Sequence, residues 1–295
     1  MKKLNLIALC AAGLLAACSG SDDTIDRSEV TLNVIGLQPL EPNTEYEAWL
    51  VSEGENISLG RFRDVNFPKT FLALTGKVNN ASAFKLSIEQ GNDPSREISN
   101  TVILEGNFSG NGNSATLTVN NAIGNFENSS GVFVLQTPTD NNSNNEKSGI
   151  YWYNPSTGQP GLNLPVLPQG WKYEGWVTVP DASGKMINLS TGKFRNPSGR
   201  DETAVYSFQI NQSPNFPGED FINLDPLSDK GLNSLPILTL KRAFISIEPE
   251  NDNDNSAPFV LQPLLGTAGN EASPTLNTMS LNTASFPLGS ATREL

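Results

Sequence analysis

The chain has 295 residues, with 31 Asp and Glu against 19 Lys and Arg, a formal net charge of −12 and no histidine. So acidic a balance repels nucleic acid and anionic lipid surfaces, and neither is expected as a partner. Without imidazole there is no Ser-His-Asp or Cys-His nucleophile system and no histidine general base; with Cys10 and Cys18 as the only cysteines, zinc sites built on His or Cys are excluded as well.

At the start of the chain, Met1, Lys2 and Lys3 precede a largely apolar stretch from Leu4 to Leu15, which closes on Ala16, Ala17 and Cys18. About a dozen apolar residues make a secretory leader, whereas a spanning helix needs about twenty. Leu15-Ala16-Ala17-Cys18 resembles the lipobox of bacterial lipoproteins. The resemblance implies removal of residues 1–17 as a signal peptide and an acylated Cys18 as the mature first residue. It also implies attachment to the outer membrane, on its periplasmic face or at the cell surface. The mature chain would hold 17 basic and 31 acidic residues, a balance of −14, and no thiol free for a disulfide. The run from Ser19 to Thr24 has nothing apolar to bury, so residues 18–28 read as a lipidated, flexible tether. Asp22-Asp23 resembles the acidic export signal of several Bacteroidota lipoproteins; solvation alone would give the same pair.

From residue 29 onward the pattern is β. Val30, Leu32 and Val34 alternate with Thr31, Asn33 and Ile35, and Phe84, Leu86 and Ile88 alternate with Lys85, Ser87 and Glu89. That is the two-residue period of strands with one buried face. Residues 102–104, 115–119 and 132–135 are short apolar runs bounded by Gly, Asn and Pro. No stretch sustains a helical period. Such short strands joined by turns rich in Gly, Pro, Asn and Ser predict an all-β sandwich or barrel.

The pattern also repeats. Tyr46-Glu47-Ala48-Trp49 returns as Tyr173-Glu174-Gly175-Trp176, each preceded nine residues earlier by a Leu, Leu37 or Leu164, that opens a Pro-containing approach. Gly60-Arg61-Phe62 returns as Gly192-Lys193-Phe194. Residues 84–89 match 244–248, both ending Ser-Ile-Glu; Val102 to Leu104 match Val260 and Leu261; Thr116 and Leu117 match Thr275 and Leu276; Phe126 matches Phe286. Seven landmarks in one order predict a tandem duplication: a β-sandwich domain over residues 29–127 and a second, with longer loops, over 128–295. The Tyr-Glu-x-Trp strand, the Gly-basic-Phe strand and the strand ending Ser-Ile-Glu together resemble the extracytoplasmic β domain of anti-sigma-K factors. The resemblance covers nearly all of residues 29–290 and implies a β sandwich. It does not carry sigma-factor inhibition, since this chain has no spanning helix, cytoplasmic part or zinc-binding residues to match those proteins.

Candidate site residues are few. Tyr151, Trp152 and Tyr153 are adjacent on a strand, which predicts at least one exposed ring, and with Trp171 they could stack on a sugar; the alternative is a half-buried strand at the seam between the domains. Trp49 and Trp176 are expected as core, their tyrosines Tyr46 and Tyr173 pointing to the opposite face, and Gly60 and Gly192 as turn or bulge glycines. Asn251 to Asn255 is the densest run of side-chain oxygens, and Asp252 and Asp254 are its only formal charges. It lacks the Gly and Glu positions of a calcium loop, so a solvated turn is expected rather than a metal site. The recurring carboxylates Glu47, Glu174, Glu89 and Glu248 sit at matching points of both copies and read as features of the fold rather than of one catalytic cleft. The expectation is a lipid-anchored, non-enzymatic binding or sensing protein without a cofactor, and in second place a glycan-binding accessory of a surface uptake system.

Overall fold

Strands form where β-branched and aromatic residues line one side of an extended segment. In the first half these are β1 (Arg27–Ile35), β2 (Thr44–Ser52), β3 (Glu55–Phe62), β4 (Lys69–Leu74), β5 (Ala81–Gln90), β6 (Val102–Asn107) and β7 (Ser114–Thr118), with short helices α1 (Thr75–Asn79) and α2 (Val119–Ala122). The second half gives β8 (Ser130–Leu135), β9 (Gly149–Tyr151), β10 (Tyr153–Asn154), β11 (Gln159–Pro160), β12 (Leu162–Asn163), β13 (Trp171–Pro180) and β14 (Met186–Phe194). After them come β15 (Gly218–Asp220), α3 (Leu224–Asp229), β16 (Arg242–Pro249), β17 (Leu264–Thr267), β18 (Asn277–Leu281) and β19 (Leu288–Arg293). The computed structural model describes residues 26–91, 93, 95, 97–109, 112–208, 213–252 and 257–295. The leader, Cys18, the tether up to residue 25 and Asp254 lie outside the described residues.

The protein is all-β, with two large antiparallel sheets. The first runs in the order β3-β2-β5-β6-β7-β19-β1-β4, and the second in the order β14-β13-β16-β17-β18-β8-β9-β15. Apart from β19 at the sixth place of the first, each sheet is built from its own half of the chain. The second sheet has β8 at the equivalent place, and only β19 crosses from one half to the other. β8, which follows the first half directly, lies between β18 and β9 of the second sheet. β19, from the far end of the second half, lies between β7 and β1 of the first, with Leu32 opposite Ala291 on one side and Ala115 opposite the same Ala291 on the other. A boundary at 127/128 therefore does not separate the sheets, because residues 288–293 complete the first one.

The segments leading into β8 and β19 meet face to edge: Phe126 and Phe286 pack with ring centroids 5.6 Å apart at 83°, and both are buried. β19 is anchored at its end by Arg293, which is 4% exposed. Its guanidinium donates to the carbonyl oxygens of Val78 (2.8 Å), Asn79 (3.2 Å), Ala81 (2.7 Å) and Gly112 (3.1 Å) and lies over the Phe108 ring. No carboxylate takes part in these contacts; main-chain acceptors at the end of α1 and the start of β5 satisfy the fork.

The pairings also correct three sequence matches. Trp49 lies opposite Lys85, and Trp176 opposite Phe244, so Phe244 stands where the first half has Lys85, one place off the expected Phe84. Gly289 faces Leu117 in one sheet and Gly131 faces Met279 in the other, which pairs Leu117 with Met279; Leu276 is partly exposed, unlike Leu117. The Val102 match slips too: the Ile88 N–H donates to the Thr101 carbonyl, and the Ile247 N–H to that of Leu261. The bulges expected at Gly60 and Gly192 are present, with positive φ of 137° and 100° beside register shifts in β2 and β13.

The first half cannot close its sheet without β19. A fragment of residues 26–127 should show no cooperative thermal transition by circular dichroism, and one should appear when a peptide of residues 284–295 is added in excess. A cooperative transition of the fragment alone would contradict the need for β19.

Candidate functional site

Glutamate and serine alternate with isoleucine at the ends of β5 and β16, placing Ser87 with Glu89, and Ser246 with Glu248, on the face that carries the tryptophan of the neighbouring strand. A relay follows from that spacing. Trp49 Nε1 donates to Ser87 Oγ at 2.8 Å, Ser87 donates to Glu89 Oε1, and the same oxygen accepts the Ser99 N–H at 3.0 Å. In the second sheet Trp176 Nε1 donates to Ser246 Oγ at 2.7 Å, Ser246 to Glu248 Oε1, and Phe259 N–H reaches that oxygen at 2.8 Å. Each glutamate thus fastens the loop that follows its own strand. Both glutamates and both indoles are buried.

The other recurring pair holds the neighbouring strand. Glu47 accepts from Ser58 Oγ at 2.5 Å and from Arg61 Nε at 2.7 Å. Glu174 accepts from Ser190, but Lys193 Nζ stands 3.9 Å away and donates to the Asp252 carbonyl. Burial first, and then the Glu174 charge, push the Glu248 carboxyl up to about 8.

The fastened loops face one another across a cavity of about 750 Å³. One wall comes from residues 38–41, 43 and 44 at the approach to β2, the end of β5 and its loop; the opposite wall comes from Pro249, Asn251, Asp252 and residues 257–260. That volume lies in the range of small-molecule sites, and contact between two structural units is a usual place for one. Glu41, Glu89, Asp93 and Asp252 contribute carboxylates, and none of the described residues lining the cavity is Lys or Arg.

Structure corrects the aromatic expectation. Tyr151, Trp152 and Trp171 are each 0% exposed, so they offer no platform for a sugar. Trp152 packs edge-on to Phe133 at 5.4 Å and donates to Thr191 Oγ1 at 3.3 Å; it fills the space above Gly175, where a Cβ would come 2.5 Å from its Nε1. Trp171 packs on Phe259 at 6.0 Å. Only Tyr153 is partly open, and its ring is stacked on Phe216 at 5.0 Å with its hydroxyl on Gln136. Trp49 and Trp176 are buried as expected, but so are Tyr46 and Tyr173 on the other face, whose hydroxyls donate to the Gln38 and Pro165 carbonyls at 2.7 Å. Both faces of β2 and β13 are covered. Asp252 lies at the cavity wall, and among the described residues no group of three or more Asp, Glu, His or Cys is placed to hold a metal.

A second set of buried carboxyls appears only in the second half, in the long connection between β14 and β16. Asp201 accepts from the Gly218 N–H, Glu219 from Tyr206 N–H and Ser207, and Asp220 from the N–H and hydroxyl of Thr139. Burial pushes these three carboxyls up to about 7, 8 and 6. They pin two connections, the one from β14 to β15 and the one from β8 to β9, onto β15. Neither this set nor the relays stood out as a motif; the recurrence of Ser two residues before Glu, paired with a recurring Trp, was the usable signal. Compared with family models, with curated proteins and with solved structures, the chain matches none.

Carboxyls raised in the folded state hold protons that the unfolded chain has already lost, so stability should fall as pH rises from about 4, the unfolded value, through about 8 for Glu248 and Glu219. Exposed Glu53, Asp64 and Asp181 are lowered by their partners and act only at the acid end. The melting temperature is expected to be higher at pH 5 than at pH 8.5, and Glu219→Gln should flatten the difference. A higher value at pH 8.5 would contradict the assignment.

Proposed function

We propose that the protein is a non-enzymatic, lipid-anchored component of a bacterial cell envelope, held to the outer membrane through Cys18. Two related β-sandwich units, fused by the crossing of β19 and resembling the outer domain of anti-sigma-K factors, act in it as one binding module. The observation that carries this reading is the cavity between the sheets, framed by the same loop from each half and fastened on each side by the same Trp-Ser-Glu relay. Duplicated carboxylates in such a role support binding over catalysis, because each holds a loop through one of its oxygens at the same point of both halves. The tandem reading draws on the parallel strand orders, with duplication of one unit as their simplest source.

Membrane attachment follows from the Leu15 to Cys18 sequence, since several acyl chains give stable anchorage where one is marginal. Cys18→Ala should move the protein from the detergent phase to the aqueous phase on phase partitioning of whole-cell lysate. Partitioning unchanged by the substitution would refute the anchor. For the module itself, a photo-crosslinking residue at Glu41 in native membranes should capture a ligand that the same residue at Ser114, in β7 and away from the cavity, does not.

A further inference from the structure

The chemistry of the cavity wall selects among ligands. Glu41, Asp93 and Asp252 bring three carboxyl groups to it from three segments, and Glu89 lines it from behind. Glu89 is 0% exposed, and while its Oε1 serves the relay, its Oε2 has no hydrogen-bond partner. Arg61 and Arg63 pair with Glu47 at 2.7 Å and Glu45 at 2.9 Å, and Lys193 donates to the Asp252 carbonyl. Phosphates, nucleotides and carboxylates would meet the like charge of the carboxyl groups at the wall. Part of the wall is apolar, with Pro39, Leu40, Pro249, Pro258 and Phe259 among its residues, beside neutral polar groups such as Gln38 and Asn251. A ligand that satisfies both needs a positive end and an aliphatic body.

We propose that this cavity is a site for alkylammonium groups, the chemistry shared by a lysine side chain of a peptide and a free polyamine. The ammonium would sit among the carboxylates and the methylene stem against the proline and phenylalanine surface, as long cationic side chains do elsewhere. The acidic charge of the whole chain would steer such a ligand in, faster at low salt. This inference rests on the binding reading above and names its ligand class.

Titration calorimetry of the full chain at low and physiological salt tests it with four probes: trilysine, spermidine, triglutamate and cellopentaose. Trilysine, spermidine or both should bind, which of them does so telling peptide from polyamine, and triglutamate and cellopentaose should not. Glu41→Gln with Asp93→Asn and Asp252→Asn should weaken that binding tenfold or more. A charge-matched control, Glu29→Gln with Glu127→Gln and Glu271→Gln, removes three acids that do not line the cavity and should weaken it less than threefold. Equal losses in both triple variants would mean attraction to the overall charge and would overturn the site. Binding of cellopentaose alone would overturn the ligand class while leaving a binding module in place; absence of binding by all four probes would overturn the class as well. Unchanged melting temperatures confirm that each variant is folded, and if the cavity variant is not, Asp93→Asn alone is held to a threefold loss.

Discussion

Everything in this fold depends on an edge that cannot be left open. In the first sheet β1 and β7 each present a row of main-chain N–H and C=O groups toward a gap one strand wide, in a sheet whose inner face is packed with Val30, Leu32, Ala115 and Leu117. Main-chain groups in such a place must be paired or desolvation makes the sheet unstable. The strand that pairs them, β19, comes from the other half of the chain, while the equivalent place in the second sheet is taken by β8, the first strand of its own half. The crossing of β19 makes the two sheets one cooperative object, with Phe126 ahead of β8 and Phe286 ahead of β19 in contact. It also brings the two relay-held loops to opposite sides of one cavity.

The sequence and structure agree where side-chain period and burial decide. Alternation located β1 and β5, the repeated Tyr-Glu-x-Trp located β2 and β13, and Gly before a basic residue located both bulges. Agreement fails where the outcome depends on pairing between distant segments. The apolar run at residues 132–135 and the bland Leu-Gly-Ser-Ala-Thr-Arg of β19 say what is strand, but not which sheet receives it, because either slot accepts any strand of suitable face and length. Assigning β19 to its own half was therefore the natural expectation and the wrong one.

The aromatic expectation failed for a related reason. Three adjacent rings on a strand must expose one only if one face of that strand is wet, and in this protein both faces of the long central strands are covered. With Gly175 clearing room, Trp152 goes inward, Tyr151 is buried beside Asp220, and Tyr153 finds Phe216. Covered outer faces also explain why Glu47, Glu89, Glu174 and Glu248 are buried at all. Each carries the serine, base or loop N–H that makes burial tolerable, so that a costly polar layer fixes the position of two loops.

The central claim is that β19 completes the first sheet, and register-specific cross-linking measures it most directly. In a Cys18→Ala background, Leu32→Cys with Ala291→Cys places two thiols on Cα partners of β1 and β19, both wholly buried. Mild oxidation of dilute protein should give a monomeric species with one internal disulfide, and the shifted pair Leu32→Cys with Ser290→Cys should react far more slowly. Equal rates for the two pairs, or no internal bond in either, would contradict the placement of β19 in the first sheet.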